Sequence, residues 1–237
     1  MKPPMRGLMM DDYPLTLTTV AERAERFHAA RPVITRRPDG RVERSDYGTV
    51  LGRARCLASG LRELGVEPGD RVATLLWNQS EHLELYFAVP CMGAVLHTLN
   101  PRLHAHELEY IVRHAADRVL VIDETLLPLL DAVAGVGELE HVVVVSHAAP
   151  APDGTLEYES LIDGRAPLAW PALDERSAAA MCYTSGTTGQ PKGVVYSHRS
   201  SLLHALGAGL PDCLGVASAD TVLPVVPMFH ANAWGLP

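Results

Sequence analysis

The sequence predicts an α/β fold in which parallel βαβ units form a sheet that helices cover on both faces. Four short apolar segments, at 72–77, 94–98, 119–122 and 142–145, are separated by segments whose apolar residues recur every three or four positions. Strands that are apolar throughout are typical of a parallel sheet buried on both faces, and the helical segments supply the connections between parallel strands. These crossovers are expected to be right-handed.

Residues 1–47 are expected to form an entry segment of one helix and one hairpin. Thr19 and Glu22 have the spacing of a capping box, which predicts a helix from Thr19 toward Ala30. The turn sequence Pro38-Asp39-Gly40 lies between extended residues and predicts the hairpin.

Residues 48–170 are expected to form a first α/β subdomain. It begins with a helix, because apolar residues recur at three and four positions from Val50 to Leu64 and Gly65 can take the left-handed conformation that ends a helix. A turn at 67–70 then leads into the alternation of strands and helices. The further predicted helices lie at 80–92, 106–116 and 126–133.

Residues 171–237 are expected to begin a second α/β subdomain. Two segments that contain Pro and Gly, 148–154 and 164–171, predict surface connections, and the later of them marks the boundary. Beyond it, the predicted elements are strands at 178–183, 194–196 and 221–228 and a helix at 201–208.

The composition favours a soluble globular protein and opposes a nucleic-acid partner. The chain has 237 residues, 47% of them hydrophobic, and a formal charge of −8. Binding to a nucleic-acid backbone needs clustered Lys and Arg, and the sequence has no long basic stripe. The longest uncharged apolar stretch, 85–96, is shorter than the roughly 18 to 20 residues of a membrane span.

The cysteines and the first residues favour the cytoplasm. No secretory apolar core is visible before the acidic pair Asp11-Asp12. The cysteines stand far apart among apolar neighbours and form no Cys-x-x-Cys pair, which is typical of packing in a reducing compartment. They are Cys56, Cys91, Cys182 and Cys213.

The strongest functional signal is the segment 183–193, which reads Tyr-Thr-Ser-Gly-Thr-Thr-Gly-Gln-Pro-Lys-Gly. Its glycines let the backbone turn and approach an anion, its hydroxyls add hydrogen-bond donors, and its lysine adds a positive charge. The segment follows a predicted strand, and loops at the carboxyl ends of strands are where α/β sheets bind ligands. We therefore predict phosphate binding. The residues concerned are Thr184, Ser185, Gly186, Thr187, Thr188, Gly189, Lys192 and Gly193.

Two alternatives explain this segment less well. A flexible surface loop accounts for glycine and hydroxyl residues, although not for their density beside a lysine. A Walker A loop requires Gly-Lys followed by Ser or Thr, whereas Lys192 follows Pro191 and precedes Gly193. The spacing therefore opposes the P-loop NTPase class.

The segment 183–193 resembles the signature loop of the adenylate-forming superfamily, which includes acyl-CoA synthetases, luciferases and peptide-synthetase adenylation domains. Residues 227–235, Pro-Met-Phe-His-Ala-Asn-Ala-Trp-Gly, resemble the next motif of that family. Residues 86–90 and 100–103 are similar to the medium- and long-chain fatty-acyl-CoA synthetase branch. The resemblance implies that this chain is the N-terminal part of a larger adenylate-forming domain.

What the resemblance implies is a two-step reaction with ATP, Mg²⁺ and coenzyme A. A fatty-acid carboxylate attacks the α-phosphorus of ATP, pyrophosphate leaves, and the thiol of coenzyme A attacks the acyl adenylate. By similarity, Lys192 and His230 are the catalytic candidates and Thr184 is the magnesium ligand. His230 is expected next to the acyl adenylate, and Trp234 is expected to line or gate the acyl pocket.

The sequence leaves several functions open. The family's later motifs for adenine, ribose and the C-terminal catalytic lysine are not found, so we expect a fatty-acid ligase fragment inactive alone. The alternatives are a non-catalytic nucleotide-binding fragment and a ligase for aryl or short-chain acids. An unfinished sheet would expose an edge, which predicts association such as a homodimer. The pairs His104/His106 and Asp123-Glu124 are interpreted as a solvated helix end and a turn, without chemistry.

Overall fold

The computed structural model describes residues 3, 5, 13–184, 189–235 and 237, apart from the side chain of Trp234. The strands of this part are β1 Pro32–Arg36, β2 Val42–Asp46, β3 Arg71–Leu75, β4 Val95–Thr98, β5 Asp117–Asp123, β6 His141–Val145, β7 Leu156–Glu157, β8 Ala178–Thr184 and β9 Lys192–Ser197. The α-helices are α1 Leu17–His28, α2 Tyr47–Glu63, α3 Ser80–Cys91, α4 Ala105–Ala115 and α5 His198–Ala208. Shorter 3₁₀ segments lie at Glu124–Ala132, Glu159–Leu161 and Ala231–Gly235.

One seven-stranded sheet organises the fold. Its strand order is β7-β6-β5-β3-β4-β8-β9, and every neighbouring pair is parallel except β8 and β9, which are antiparallel. The strands β1 and β2 form the separate hairpin that the sequence predicts. The α/β class with a mainly parallel sheet is therefore confirmed.

Helices cover both faces of the sheet, as β5 illustrates. Val119 and Val121 belong to the core that contains the buried residues of α2 and α3. Leu120 and Ile122 point the other way, into the core that contains the buried residues of α4. Successive strand residues face opposite sides, so a strand that is apolar throughout must be covered twice.

Two helical details differ from the sequence prediction. The capping box at Thr19 and Glu22 is wrong, because Thr16 is the N-cap of α1 and its carbonyl accepts the N–H of Thr19, one turn earlier than predicted. The helix predicted at 126–133 is a 3₁₀ helix that contains Pro128. Proline has no N–H to donate to the α-helical ladder, which favours this irregular form.

The strand predicted at 221–228 is also wrong, since the described residues there have no strand structure. Pro224 and Pro227 lack the backbone N–H that a sheet ladder needs. The apolar side chains that suggested a buried strand are largely exposed, with Leu223 at 82% and Val225 at 83%.

The segment 171–237 joins the same sheet as the residues before it. Its strand β8 pairs with β4, from Leu96 opposite Ala180 to Thr98 opposite Cys182. The subdomain division at residue 170 stays a prediction. In the described part of the chain, no helix is both long enough and apolar enough to cross a membrane.

Candidate active site

The candidate site lies at the carboxyl edge of the sheet. Because β3, β4 and β8 are parallel, their carboxyl ends meet at this edge. The loop between Thr184, the last residue of β8, and Lys192, the first of β9, leaves from here. Ligands of α/β proteins bind at this edge, so the fold places the predicted phosphate loop where such chemistry occurs.

The hairpin of β8 and β9 brings Thr184 and Lys192 together. These two residues are directly opposite in the antiparallel register, and opposite residues of such a pair project from the same face. Both are exposed. Gly189 is also exposed and has φ +137°, a conformation that glycine adopts at little cost. Ser185, Gly186, Thr187 and Thr188 lie outside the described residues.

Lys192 is an unusual residue of this chain. The sequence contains only two lysines, Lys2 and Lys192, and all other basic side chains apart from histidine are arginines. Many of the arginines pair with carboxylates, whereas Lys192 has no hydrogen bond or ion pair among the described residues. Its ammonium group is therefore available to an anionic ligand.

Gly193 has a different role from the predicted one. It lies inside β9 and does not turn the chain. A Cβ atom at this position would lie 3.1 Å from Cζ and 3.3 Å from Cε2 of Tyr183, the residue opposite. Glycine is needed here because an aromatic ring rests against the backbone.

The segment before His230 is bound to the carboxyl end of β3 by Asn78. The Asn78 Nδ2 donates to the carbonyl oxygens of Pro224, at 2.8 Å, and Val226, at 3.1 Å. Its Oδ1 accepts the N–H of Met228 at 2.6 Å. The hydroxyl of Tyr86 on α3 donates to the Met228 carbonyl at 2.5 Å. Side chains thus replace the missing strand ladder.

These contacts place His230 beside the carboxyl edge of the sheet. Phe229 packs edge-on against Trp77, with ring centroids 6.2 Å apart, and the Arg102 guanidinium lies 5.7 Å from its centroid. His230 itself is exposed. The place of His230 next to the acyl adenylate stays a prediction. The side chain of Trp234 lies outside the described part.

The turn after His230 has an uncommon backbone. Ala231, Asn232 and Ala233 have φ of 46°, 50° and 50°, the left-handed region that costs residues with a Cβ about 1–2 kcal/mol each. Such conformations persist where surrounding contacts impose them, often at functional sites.

Asn78 and Tyr86 are site residues that the sequence analysis did not identify. Asn78 follows an apolar strand directly, at the edge where ligand-binding residues of α/β proteins collect. That position in the sequence indicates a candidate site residue. The partners of Asn78 lie about 150 positions later, so the specific contacts have no local signature.

The residue pairs that were assigned no chemistry have structural roles. Glu107 accepts the N–H of His104 at 3.0 Å, so His104 begins α4 as predicted. Asp123 accepts from the Thr125 N–H at 2.9 Å, and Glu124 accepts from the Ala148 N–H at 2.8 Å. Within the described residues no cluster of three His, Cys, Asp or Glu side chains could hold a metal ion.

Known proteins share both the sequence and this architecture. The family of AMP-binding enzymes matches residues 20–236. This chain belongs to the AMP-binding enzyme family. It is 52% identical to a long-chain-fatty-acid–CoA ligase of Thermus thermophilus, over 97% of this chain and 42% of the relative. It is 45% identical to a medium-chain-fatty-acid–CoA ligase of Ectopseudomonas oleovorans, over 98% of this chain and 44% of the relative.

A solved structure has the same fold. A benzoate CoA ligase from Burkholderia xenovorans superposes with a TM-score of 0.77 at 23% identity, over 93% of this chain and 42% of that one. This AMP-binding chain spans less than half the length of the curated relatives it matches, 44% in the case of the medium-chain ligase. The family match and the two ligase relatives confirm the resemblance to the adenylate-forming acyl-CoA ligases.

Proposed function

We propose that this chain provides the ATP phosphate site of a ligase that converts a fatty acid into its acyl adenylate and then into its coenzyme A thioester. The observation that supports this most is the pairing of Thr184 with Lys192 across the base of the loop at the carboxyl edge of the sheet. An unpaired cation and a hydroxyl stand there side by side.

Lys192 would solve the electrostatic problem of the first step. An anionic carboxylate must approach a polyanionic triphosphate, and negative charge develops on the departing pyrophosphate. A fixed ammonium group stabilises that charge in the transition state. Lys192 suits this role because no carboxylate of the described residues neutralises it.

Thr184 would hold magnesium together with the phosphates. Magnesium prefers oxygen ligands, keeps several waters and usually binds through one or two protein oxygens plus substrate phosphates. The exposed Thr184 hydroxyl at the loop base fits such a donor set. When bound, magnesium would offset the negative charge of the phosphates.

His230 would approach the acyl adenylate, and Trp234 would line or gate the acyl pocket. The exposure of His230 at the carboxyl edge supports its part of this proposal. The names of the two ligase relatives support a fatty acid as the acid and coenzyme A as the acceptor.

The proposal extends to compartment and assembly. All four cysteines are free, which favours the reducing cytoplasm. Exposed apolar side chains near α5 favour pairing of two copies. They include Leu206 at 59%, Leu210 at 59% and Val195 at 58% exposure.

An ATP acyl-phosphate probe tests the phosphate site, because such probes transfer their label to a lysine amine beside the bound phosphates. We expect the label on Lys192 and not on Lys2, the internal control, and we expect excess ATP with Mg²⁺ to block it. Calorimetry should show ATP binding weakened about 10- to 100-fold in Lys192→Ala, as for loss of a charge-assisted contact. Lys192→Arg should retain part of the affinity. Labelling of Lys192 that excess ATP does not reduce would contradict the proposed phosphate site.

Fatty-acid-dependent ATP–pyrophosphate exchange tests the reaction. We expect exchange with fatty acids when the chain is expressed within its full-length protein, and comparison with benzoate and acetate separates the acid classes. Absence of exchange with every fatty acid would exclude the fatty-acid assignment. ATP binding without exchange would favour the non-catalytic alternative.

A further inference from the structure

An aromatic cluster lies behind the proposed phosphate site, centred on Tyr183. The Tyr183 hydroxyl is 2.6 Å from Nδ1 of His114 on α4. Burial, together with the negative fields of Asp117 and Tyr110, raises the pKa of Tyr183 to about 12. The phenol therefore keeps its proton at neutral pH and can donate it in this hydrogen bond.

A buried histidine–aspartate pair fixes the other side of the Tyr183 ring. His97 Nδ1 is 2.9 Å from both carboxylate oxygens of Asp117, and both side chains are fully buried. The His97 ring lies 5.3 Å from the Tyr183 ring, centroid to centroid. Its Nε2 has no hydrogen-bond partner among the described residues, so the imidazole is oriented from Asp117 alone.

The Tyr183 ring in turn rests on the backbone of β9 at Gly193. Successive strand residues face opposite sides, so Tyr183 and Gly193 lie on one face of the hairpin while Thr184 and Lys192 project from the other. A shift of the ring against Gly193 would therefore move the neighbouring Lys192.

This contact matters because β9 has few other constraints. It is the last strand in the sheet order, and its residues 192–195 are exposed. A strand without a buried face has a weakly specified register. The close fit of Tyr183 over Gly193 is a feature that a slipped register would lose.

We propose that Tyr183 is a positioning residue of the phosphate site. Held by His114 at its hydroxyl and by the His97–Asp117 pair at its ring, it sets the register and spacing of the β8–β9 hairpin, and so the placement of Thr184 and Lys192. The inference rests on the proposed function in one respect, namely that Thr184 and Lys192 bind ATP.

Four variants of this chain test the proposal. Tyr183→Phe removes the hydrogen bond between Tyr183 and His114 and keeps the aromatic ring. His114→Ala removes the same hydrogen bond and should keep the fold, since His114 is exposed. His114→Asn places an amide oxygen close to the position of Nδ1 and should rescue the contact. Tyr110→Phe is the matched control, because it removes a hydroxyl without a hydrogen-bond partner among the described residues from a ring that stacks on His114.

We expect Tyr183→Phe and His114→Ala to weaken ATP–Mg²⁺ binding about three- to tenfold in calorimetry, the loss typical of one hydrogen bond. His114→Asn and Tyr110→Phe should stay near the parent affinity. Amide exchange over 189–196, measured without nucleotide, should accelerate in the first two variants only. Rescue by asparagine separates positioning from a general loss of packing.

Parent affinity in Tyr183→Phe, or unchanged exchange of the hairpin, would overturn the positioning role. Failure of the parent itself to bind ATP would instead contradict the proposed function. The exchange measurement would then still decide whether Tyr183 and His114 order the hairpin.

Discussion

At the scale of single residues, Asn78 fixes the segment 224–230 to the sheet. Its amide satisfies two carbonyl oxygens and one N–H of a backbone stretch that has no strand ladder. Buried backbone groups require such partners, because an unmade hydrogen bond costs more than a made one contributes. The position of His230 therefore depends on a side chain at the end of β3.

We expect Asn78→Ala to lower the free energy of unfolding by about 1–3 kcal/mol, since it leaves three backbone groups without partners. Amide exchange over 224–230 should accelerate more than exchange in β3. Asn100→Ala is the control at the end of β4, where the side chain accepts only the nearby Arg102 N–H. Equal effects of the two substitutions on 224–230 would show that Asn78 does not hold the segment.

At the residue scale, a site could be predicted from the sequence where its residues belong to one short segment. Thr184 and Lys192 are eight positions apart in the sequence, and the composition of the loop between them was enough to predict a common phosphate site, which stays a prediction. The contacts of Asn78 and the ring over Gly193 were not predictable, because they depend on which strands become neighbours.

At the scale of secondary-structure elements, α2 packs unusually close to the 3₁₀ segment Glu159–Leu161. A Cβ atom added at Gly60 would overlap the Leu161 carbonyl oxygen and lie 2.9 Å from its carbonyl carbon. Gly52, in the same helix, has no atom within 4 Å of such a Cβ. Gly60 therefore contacts the backbone of another element, whereas Gly52 of the same helix does not.

We expect Gly60→Ala to destabilise the protein by about 1–3 kcal/mol, because backbone must move to admit the methyl group. Gly52→Ala should stabilise it by about 0.5–1 kcal/mol, since alanine favours the helix and meets no neighbour. Urea unfolding of both variants measures the difference. Destabilisation by Gly52→Ala would mean that helix propensity does not govern this face of α2.

Element predictions were reliable where apolar residues recur over several turns or strands are buried on both faces. The strands β3, β4, β5 and β6 and helices α2, α3 and α4 follow such patterns. The segment 221–228 shows the limit of this argument. Its apolar residues resemble a buried strand, but two prolines remove ladder donors and the side chains remain exposed.

At the scale of the whole molecule, buried titratable groups set the pH dependence of stability. Burial lowers the pKa of His82 and of His198 from the ordinary 6.5 to about 4. His82 is held neutral, with Nδ1 donating to the Trp77 carbonyl at 3.0 Å and Nε2 near the Thr74 hydroxyl at 3.1 Å. The stability that the neutral His82 and His198 contribute to the folded protein is complete above about pH 6.5 and is lost as the pH falls toward 4.

Glu84 has the opposite effect on the pH dependence of stability. Its burial outweighs the attraction of Arg53, 2.7 Å away, and raises its pKa from the ordinary 4.5 to about 7. The folded protein therefore retains a proton that the unfolded chain releases. The stability from this group is complete below about pH 4.5 and is lost as the pH rises through 7.

Together these three groups predict that stability rises from pH 5 and levels off near pH 7. Between about pH 5 and 6 the two histidines outweigh Glu84 by about one proton, so the free energy of unfolding should rise by up to about 1.4 kcal/mol per pH unit. Near pH 7 the protons still bound by the unfolded histidines and by the folded Glu84 balance, so the profile should become flat. Urea unfolding at several pH values measures the profile.

Glu84→Gln isolates the contribution of Glu84 to this profile. The amide cannot titrate, so we expect the rise between pH 5 and 6 to steepen toward two protons and to continue to about pH 7.5. Glu109→Gln removes an exposed carboxylate that pairs with Arg113 on the surface of α4, and should leave the profile unchanged. An unchanged slope between pH 5 and 6 in Glu84→Gln would show that Glu84 does not retain its proton in the folded protein.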